Sequence, residues 1–323
     1  MAASFTLALT ALQVVVLLLG IVTNGFMLGV NLSDWKGCRS LTASDYFICA
    51  VGFSNLSLQI WSGFGWFCDL FWNFDAFCRS AYALKMISIQ SSLTVSGLLC
   101  VFYCTRILTF NHTLFRVCQR HFLKSYRQII IICHILCVVM GSPLFFIGEK
   151  YQGQNKDLPL ANDSSIYRDT LMYEEPLFLA YRTLVLAFGY TIPLALTIGS
   201  ASLIITSLLR HMNRIRDTLN TKNEAFIDAH LCAGFTVLSL LVLFVMYFIT
   251  AIINIIEIFK VGEPGSIICQ LVSMLYAPAH SVVLIRGNSK LKKASANVLE
   301  RMMCVLKPKG WIKENTPVYI AHH

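Results

Sequence analysis

The sequence predicts an all-α fold, in which a seven-transmembrane helix bundle is followed by a short amphipathic C-terminal helix. Two observations support this prediction. Of the 323 residues, 56% are apolar and 13% are charged, whereas roughly 25% are charged in an ordinary soluble domain. The apolar residues also gather into seven runs, and each run matches the roughly 20 residues that a helix needs to cross a hydrocarbon core. Water is therefore not the main solvent of this chain.

The seven runs give the order and approximate limits of the spans. They lie near residues 7–31, 43–64, 83–108, 128–148, 183–209, 229–257 and 266–286. The second and seventh runs are the least apolar, because Asn55 and Gln59 interrupt the one and Gln270 and His280 the other. Both still fit spans whose polar side chains face the interior of a helix bundle.

The segment after the seventh run has the pattern of an amphipathic helix. Apolar residues share one face at helical spacing and basic residues lie opposite, for example Leu291 and Met302 against Lys292. Such a helix lies along the membrane surface, where anionic lipids attract its basic face. We therefore predict a seven-transmembrane domain over residues 1–288, and a cytosolic amphipathic helix with a tail over residues 289–323.

The distribution of basic residues predicts the orientation of the chain. Most of the 26 Lys and Arg residues fall in alternate loops on one side, and basic loops are retained in the cytosol. The C-terminus is then cytosolic and, after seven crossings, the N-terminus is extracellular. The longest outward loop, about residues 148–182, contains the sequon N-D-S, which predicts glycosylation of Asn162. Cys68 and Cys78 lie in another outward loop and are candidates for a disulfide.

Composition and motifs exclude several classes of function. The net charge of +9 is spread between apolar runs, whereas a nucleic-acid-binding protein gathers basic residues on a water-exposed face. The twelve cysteines contain no C-x-x-C pair, which argues against a zinc site. No serine, histidine or acidic residue falls in a nucleophile elbow or a phosphate loop. We therefore expect no enzyme activity, no cofactor, no metal and no nucleic-acid partner.

The few charges within the spans help to distinguish a receptor from a transporter. An ion-coupled transporter carries ionisable groups near the bilayer midplane and broken helices in repeated halves, and this sequence shows neither pattern. Lys85 lies about 31 Å from Arg106 along a helix, and so at the outer rim. Its ammonium either reaches the lipid headgroups or points into a cavity open to the outside. Ile89, Ser92 and Ser96 continue the same face inward, where the two hydroxyls serve either helix packing or ligand contact.

Short motifs along the chain resemble the type 2 taste receptors, the bitter-taste family of G-protein-coupled receptors. The rhodopsin-like signatures D-R-Y and N-P-x-x-Y are absent. The motifs that are present begin at Asn24 (N-x-F), Asp34 (D-W-K, similar to the family's D-W-x-K), Val101 (V-F-Y-x-x-R-I), Leu203 (L-I-I-x-S-L-x-x-H) and His280 (H-S-x-x-L-I-x-x-N-x-K-L-K). Each motif is weak alone, but their order and their sides of the membrane together are specific to the family.

The resemblance implies a receptor for small bitter compounds, which bind from the extracellular side between the outer halves of the third, fifth, sixth and seventh helices. The expected ligand contacts are Lys85, Ile89, Gln90, Tyr247 and Gln270. The implied partner is a heterotrimeric G protein of the gustducin and inhibitory type, and the implied location is the plasma membrane. The residues expected to serve G-protein coupling and activation are Tyr103, Arg106, His211, His230, His280 and Ser281.

Three departures from the family pattern indicate a divergent member. Asn55 stands where arginine is usual in the second span, Arg106 replaces lysine, and Phe244 stands where tyrosine is common. A vomeronasal type 1 receptor with pheromone ligands is the nearest alternative, although the D-W-K segment, which is similar to the family's D-W-x-K, and the H-S-x-x-L-I motif favour the bitter-taste family. A membrane transporter is the alternative from a different class. The sequence leaves the agonist and the oligomeric state open.

Overall fold

The computed structural model describes residues 2–37, 40–71, 76–108, 113–145, 180–181, 183–216, 224–256, 258–259 and 263–306. Regular structure in these ranges is helical throughout. The main helices are α1 (Ala2–Lys36), α2 (Ala43–Phe71), α3 (Ala76–Ile107), α4 (Thr113–Gly141), α5 (a π-helical segment, Val185–Thr191, continued by the α-helix Ile192–Arg216), α6 (Glu224–Ile255), α7 (Pro264–Gly287) and α8 (Ser289–Leu306).

The helices α1 to α7 are each long and apolar enough to cross a membrane. The shorter α8 is amphipathic, because Leu291 is fully buried against the bundle while Lys292 and Lys293 are exposed. The predicted all-α fold, with seven spanning helices and a short C-terminal helix, is therefore confirmed.

The fourth helix begins well before its predicted apolar run. The run starts near residue 128, but α4 begins at Thr113. Its first turns are basic, and hydropathy alone therefore assigns them to a loop. They remain helical because Phe122, Leu123 and Tyr126 pack against the bundle core. Lys124, which lies between them, is exposed. An amphipathic face of this kind stabilises a helix through packing.

Burial divides the bundle into a central helix and lipid-facing helices. In α3, 72% of the most apolar segment is buried inside the protein, compared with 22% in α1 and 17% in α4. Large apolar side chains on the outer helices, such as Val22 and Val139, are at least 60% exposed. In a bilayer these side chains contact lipid, which costs nothing for an apolar group. The central position of α3 makes it the common neighbour of the functional residues described below.

The two ends of the bundle differ in what joins the helices. At one end, which we call the disulfide end, a bond between Cys68 and Cys78 joins the last turns of α2 to the start of α3. At the other end, which we call the α8 end, α8 packs beneath α1 and α2. Between them lie three apolar clusters of described residues, of which the smallest, with Leu271, joins α1 to α7. Of the other two, the one nearer the α8 end contains Phe47 and Leu99, and the one nearer the disulfide end contains Ile89.

Candidate functional site

A cavity lies between the helices at the disulfide end. The empty space between its walls is about 630 Å³, with its open mouth included. Helices α3, α5, α6 and α7, together with the residues that follow α4 and precede α5, provide its wall. The lining side chains are Tyr82, Met86, Leu144, Tyr181, Val185, Tyr190, Tyr247, Ala251, Asn254 and Ser273.

A π-helical turn at the start of α5 shapes one side of this cavity. Pro193 has no amide hydrogen to donate to the carbonyl of Gly189, and a wider turn accommodates such a break in the helical ladder. Thr191 supports the turn, because its Oγ1 donates to the carbonyl five residues earlier at 3.0 Å. Tyr190 in this turn is buried, and its ring lies almost parallel to that of Tyr247, with centroids 5.9 Å apart and 12° between the planes. Aromatic stacking therefore joins α5 to α6 in the cavity wall.

Two of the five predicted ligand contacts lie in or beside the cavity wall. Tyr247 lines the cavity. Ile89 is fully buried in the apolar cluster that also contains Tyr247. Lys85, another of the five, is half-buried one position before the lining residue Met86. It is not among the described side chains that line the cavity.

The other two predicted contacts, Gln90 and Gln270, are not among the described lining residues and pack between other helices. Gln90 packs so closely on α5 that a Cβ atom at Gly189 would lie 3.3 Å from its side chain. Its Nε2 is buried and has no hydrogen-bond partner in the described part of the chain. Gln270 accepts a hydrogen bond from Nε2 of Gln13 at 3.2 Å, which joins α7 to α1.

Further into the bundle, a buried polar network joins α2, α3 and α7. Asn55 Nδ2 lies 3.2 Å from His280 Nδ1, and His280 Nε2 lies 3.2 Å from Ser96 Oγ. Ser96 Oγ donates to the carbonyl of Ser92 at 2.6 Å, and it therefore accepts from His280 Nε2. An amide nitrogen only donates, and Nδ1 therefore accepts. These directions define a neutral imidazole with its proton on Nε2. The neighbouring Ser281 is also buried, and its hydroxyl donates within α7 at 2.9 Å.

Tyr276 connects this network to the cavity. Ser92 Oγ donates to Asn55 Oδ1 at 2.5 Å and lies 3.5 Å from the Tyr276 hydroxyl. The ring centroid of Tyr276 is 5.2 Å from that of Tyr247 and 5.3 Å from that of His280. Tyr247 in the cavity wall is thus connected to His280 through the ring of Tyr276.

At the α8 end, one lysine holds α8 against α1 and α2. Lys290 Nζ lies 3.1 Å from Asp34 Oδ2, 3.0 Å from Asp45 Oδ1 and 2.5 Å from Asn31 Oδ1. Three acceptors match the three donor hydrogens of an ammonium group. Asp45 also caps α2: its Oδ2 accepts from the Thr42 amide at 3.0 Å, and Thr42 Oγ1 accepts from the Asp45 amide at 3.3 Å. This reciprocal pair is a capping box.

The remaining residues expected to couple to a G protein lie toward the α8 end. Tyr103 packs against the apolar cluster of that end. Arg106 is exposed, and its guanidinium lies 5.6 Å from the ring centroid of Phe102. His211 lies in α5 and His230 in α6, but their side chains are outside the described part of the chain. Asn162 is outside the described residues altogether.

Sequence reasoning missed several residues of these sites. Tyr190 and Tyr276 stand in apolar runs, where a tyrosine is expected to be an ordinary core residue. The one available signal was polarity: Asn55 and His280 interrupt apolar spans, and a buried polar group needs a partner. The sequence did not show that they are partners of each other. Lys290 likewise belongs to a recognised motif, but nothing in the motif identifies its contact with Asp34.

Seven spanning helices, a cavity at one end and a buried polar network between the ends define a seven-helix membrane protein. Within that class, a family model described as Taste receptor protein (TAS2R) matches residues 1–303. The chain belongs to this taste receptor family.

Curated relatives agree with that assignment at low identity. Taste receptor type 2 member 102 of Mus musculus is 26% identical over 315 residues, which is 92% of this chain and 89% of the relative. Taste receptor type 2 member 7 of Rattus norvegicus is 26% identical over 308 residues, covering 90% and 93%. Taste receptor type 2 member 30 of Homo sapiens is 24% identical over 322 residues, covering 94% and 92%. The chain is thus a multi-pass plasma membrane protein and a divergent member of its family.

Proposed function

We propose that this protein is a bitter taste receptor, which binds small bitter compounds from outside the cell and activates a heterotrimeric G protein inside. The family match over residues 1–303 carries the proposal. The cavity at the disulfide end supports it, since a receptor needs a ligand-sized opening on one side of the membrane. The disulfide end is extracellular and the α8 end is cytosolic.

The ligand binds in the cavity between the disulfide-end halves of α3, α5, α6 and α7. Tyr247 and Tyr190 contact it directly. Ile89 and Gln90 pack behind that wall. Gln270 fixes α7 against α1, and Lys85 lies one position before the lining residue Met86. Because a ligand shifts an equilibrium only by its difference in affinity for two states, the agonist binds the active arrangement more tightly than the inactive one.

Activation passes from the cavity to the cytosolic end through Tyr276 and the His280 network. Movement of α6 and α7 opens the α8 end and exposes Tyr103 and Arg106 to the G protein. His211 and His230, near the ends of α5 and α6, complete the contact. The G protein is of the gustducin and inhibitory type. The active receptor promotes nucleotide exchange in this G protein and catalyses no chemical reaction of its own.

A cell assay tests the proposed function. The receptor is expressed with a promiscuous G-protein chimera, and a broad panel of bitter compounds is screened for calcium release. At least one compound should give a saturable response, and Tyr247→Ala should lower its potency. Phe77→Ala is the matched control, because Phe77 is an exposed aromatic side chain of α3 outside the cavity lining. Silence across the panel, despite confirmed surface expression, would contradict the bitter assignment.

A glycosylation assay tests the orientation separately. If the loop that carries Asn162 is extracellular, glycosidase treatment should increase the gel mobility of the wild-type receptor but not that of Asn162→Gln. Asn111 also stands in a sequon, but in a loop that we assign to the cytosol, and Asn111→Gln should behave as wild type. Loss of the mobility shift in Asn111→Gln would reverse the proposed orientation.

A further inference from the structure

The chemistry of the cavity wall restricts the ligand more narrowly than the proposed function does. Among the ten described residues that line the cavity, four are tyrosines and none has a charged side chain. The other lining groups are mostly apolar, and Asn254 and Ser273 provide the remaining side-chain polarity. A wall of this kind recognises rings by stacking. The Lys85 ammonium is not among the described lining side chains, and these side chains therefore offer no opposite charge to an ionised ligand.

Three hydroxyl groups of the wall already donate their hydrogens within the protein. The Tyr181 hydroxyl donates to the carbonyl of Met140 at 2.7 Å, and Ser273 Oγ donates to the carbonyl of Cys269 at 2.9 Å. The Tyr190 hydroxyl donates to Met86 Sδ at 3.9 Å. Each hydroxyl oxygen keeps lone pairs that can accept a hydrogen bond. These positions therefore favour a ligand that donates hydrogen bonds over one that only accepts them.

The stacked rings of Tyr190 and Tyr247 also favour a hydrogen-bond donor over an anion. The faces of aromatic rings carry partial negative charge, which repels an anion and attracts the positive edge of another ring or an N–H group. A carboxylate in this cavity would lose its hydration and meet acceptor oxygens and ring faces. A cation would find the ring faces but no carboxylate among the described lining residues.

We infer that the cavity selects an uncharged, ring-bearing ligand with a hydrogen-bond donor, and rejects the carboxylate of the same shape. The ligand class is thus an aromatic amide, phenol or alcohol, and not an aromatic acid. This inference rests on the proposed function only in assigning the cavity as the agonist site. The binding preference itself follows from the wall and is measured without a G protein.

Three isosteric probes test the preference on the purified receptor in lipid nanodiscs. Naphthamide, naphthoate and naphthamidinium have the same ring and nearly the same shape, but near neutral pH they are uncharged, negative and positive. A probe that binds the folded receptor raises its midpoint of thermal unfolding. For each probe we measure the concentration at which this rise begins. Naphthamide should raise the midpoint at a concentration at least about tenfold lower than that required of naphthoate. The concentration required of naphthamidinium should also be higher than that of naphthamide.

Two variants connect the preference to the wall. Tyr82→Ala should weaken the binding of naphthamide, whereas Phe77→Ala should leave that binding unchanged. Both side chains are exposed aromatics of α3, at 45% and 48%, but only Tyr82 is a lining residue. Asn254→Arg should reverse the order of amide and carboxylate, because a guanidinium pairs with a carboxylate through two hydrogen bonds. Asn254→Gln, which adds no charge, should preserve the original order.

The outcomes separate the two proposals. Equal action of amide and carboxylate, preference for either ion, or no stabilisation by any of the three probes overturns the inference. An unchanged order in a folded Asn254→Arg receptor overturns it as well. Naphthamide selectivity in a receptor that stays silent in the calcium assay would contradict the bitter assignment and leave the cavity preference in place.

Discussion

Gln59 donates from Nε2 to the main-chain carbonyl of Met274, 3.0 Å away in α7. That carbonyl lacks its usual helical donor, because Pro278 stands four residues later and has no amide hydrogen. In a bilayer a freed carbonyl must find another donor within the protein. Gln59, which interrupts the apolar pattern of the second span, therefore supplies the hydrogen-bond donor that a carbonyl of the seventh span lacks.

A double-mutant cycle tests this relationship. Gln59→Leu should lower the free energy of unfolding by about 1 kcal/mol, a usual value for a hydrogen bond between transmembrane helices. In a Pro278→Ala background the loss should be smaller, because the new amide of residue 278 can donate to Met274. Thermal unfolding of the purified receptor measures both steps. Equal losses in the two backgrounds would show that Gln59 does not compensate for the proline.

His280→Phe should lower the free energy of unfolding by about 1–3 kcal/mol, because it leaves buried donors and acceptors without partners. Asn55 Nδ2 and Ser96 Oγ are the groups affected. Ser281→Ala is the matched control, since Ser281 is equally buried but bonds within its own helix, and it should cost only a few tenths of a kcal/mol. Thermal unfolding of the purified receptor measures both losses. Similar losses in both variants would argue against an interhelical role of the imidazole.

Lys290→Met should destabilise the receptor by about 1–2 kcal/mol, because it leaves two carboxylates without their shared ammonium. We keep the value low because the Lys290 and Asp34 side chains are 32% and 27% exposed. Adding Asp45→Asn should recover part of the loss, since one of the two repelling charges is removed. Lys292→Met, on the exposed face of α8, should be close to neutral. A Lys290→Met receptor as stable as wild type would show that the three acceptors do not anchor α8.

Gly97→Val should destabilise the receptor by about 1–3 kcal/mol, the usual cost of forcing volume into a packed interface. A Cβ atom at Gly97 would lie 3.2 Å from the carbonyl oxygen of Pro193 and 3.4 Å from its Cα atom. Both are backbone atoms, and α5 would therefore have to move away from α3. Gly199→Val is the matched control, because a Cβ atom there meets nothing within 4 Å. Equal stability of the two variants, measured by thermal unfolding, would contradict the close approach of α3 and α5.

The helices themselves could be predicted to different degrees. The seven apolar runs identified the seven spanning helices, because the free energy of placing a segment in hydrocarbon depends on its own composition and length. The start of α4 at Thr113 could not be read in this way. Its first turns are basic, and they become helical only where Phe122 and Tyr126 find the bundle core.

The cavity could be anticipated only in part. The resemblance to taste receptors predicted a ligand site between α3, α5, α6 and α7, and the described cavity lies between these helices at the disulfide end. Of the five residues expected to contact ligand, Tyr247 is among the described lining residues. The position of Tyr190 depends on the π-helical turn before Pro193, which rotates the start of α5 relative to an ordinary helix. No periodicity in the sequence shows such a rotation.

The sequence alone determined that the chain is a seven-helix membrane protein with an amphipathic C-terminal helix, and its motifs indicated the family. These properties depend on short segments, whose hydrophobicity acts locally. Only the tertiary structure decided which polar residues are partners. Asn55 and His280 are 225 positions apart, and Lys290 is 259 positions from Asn31. Such contacts depend on how far each helix is rotated and shifted against its neighbours, and packing of the whole bundle sets those rotations.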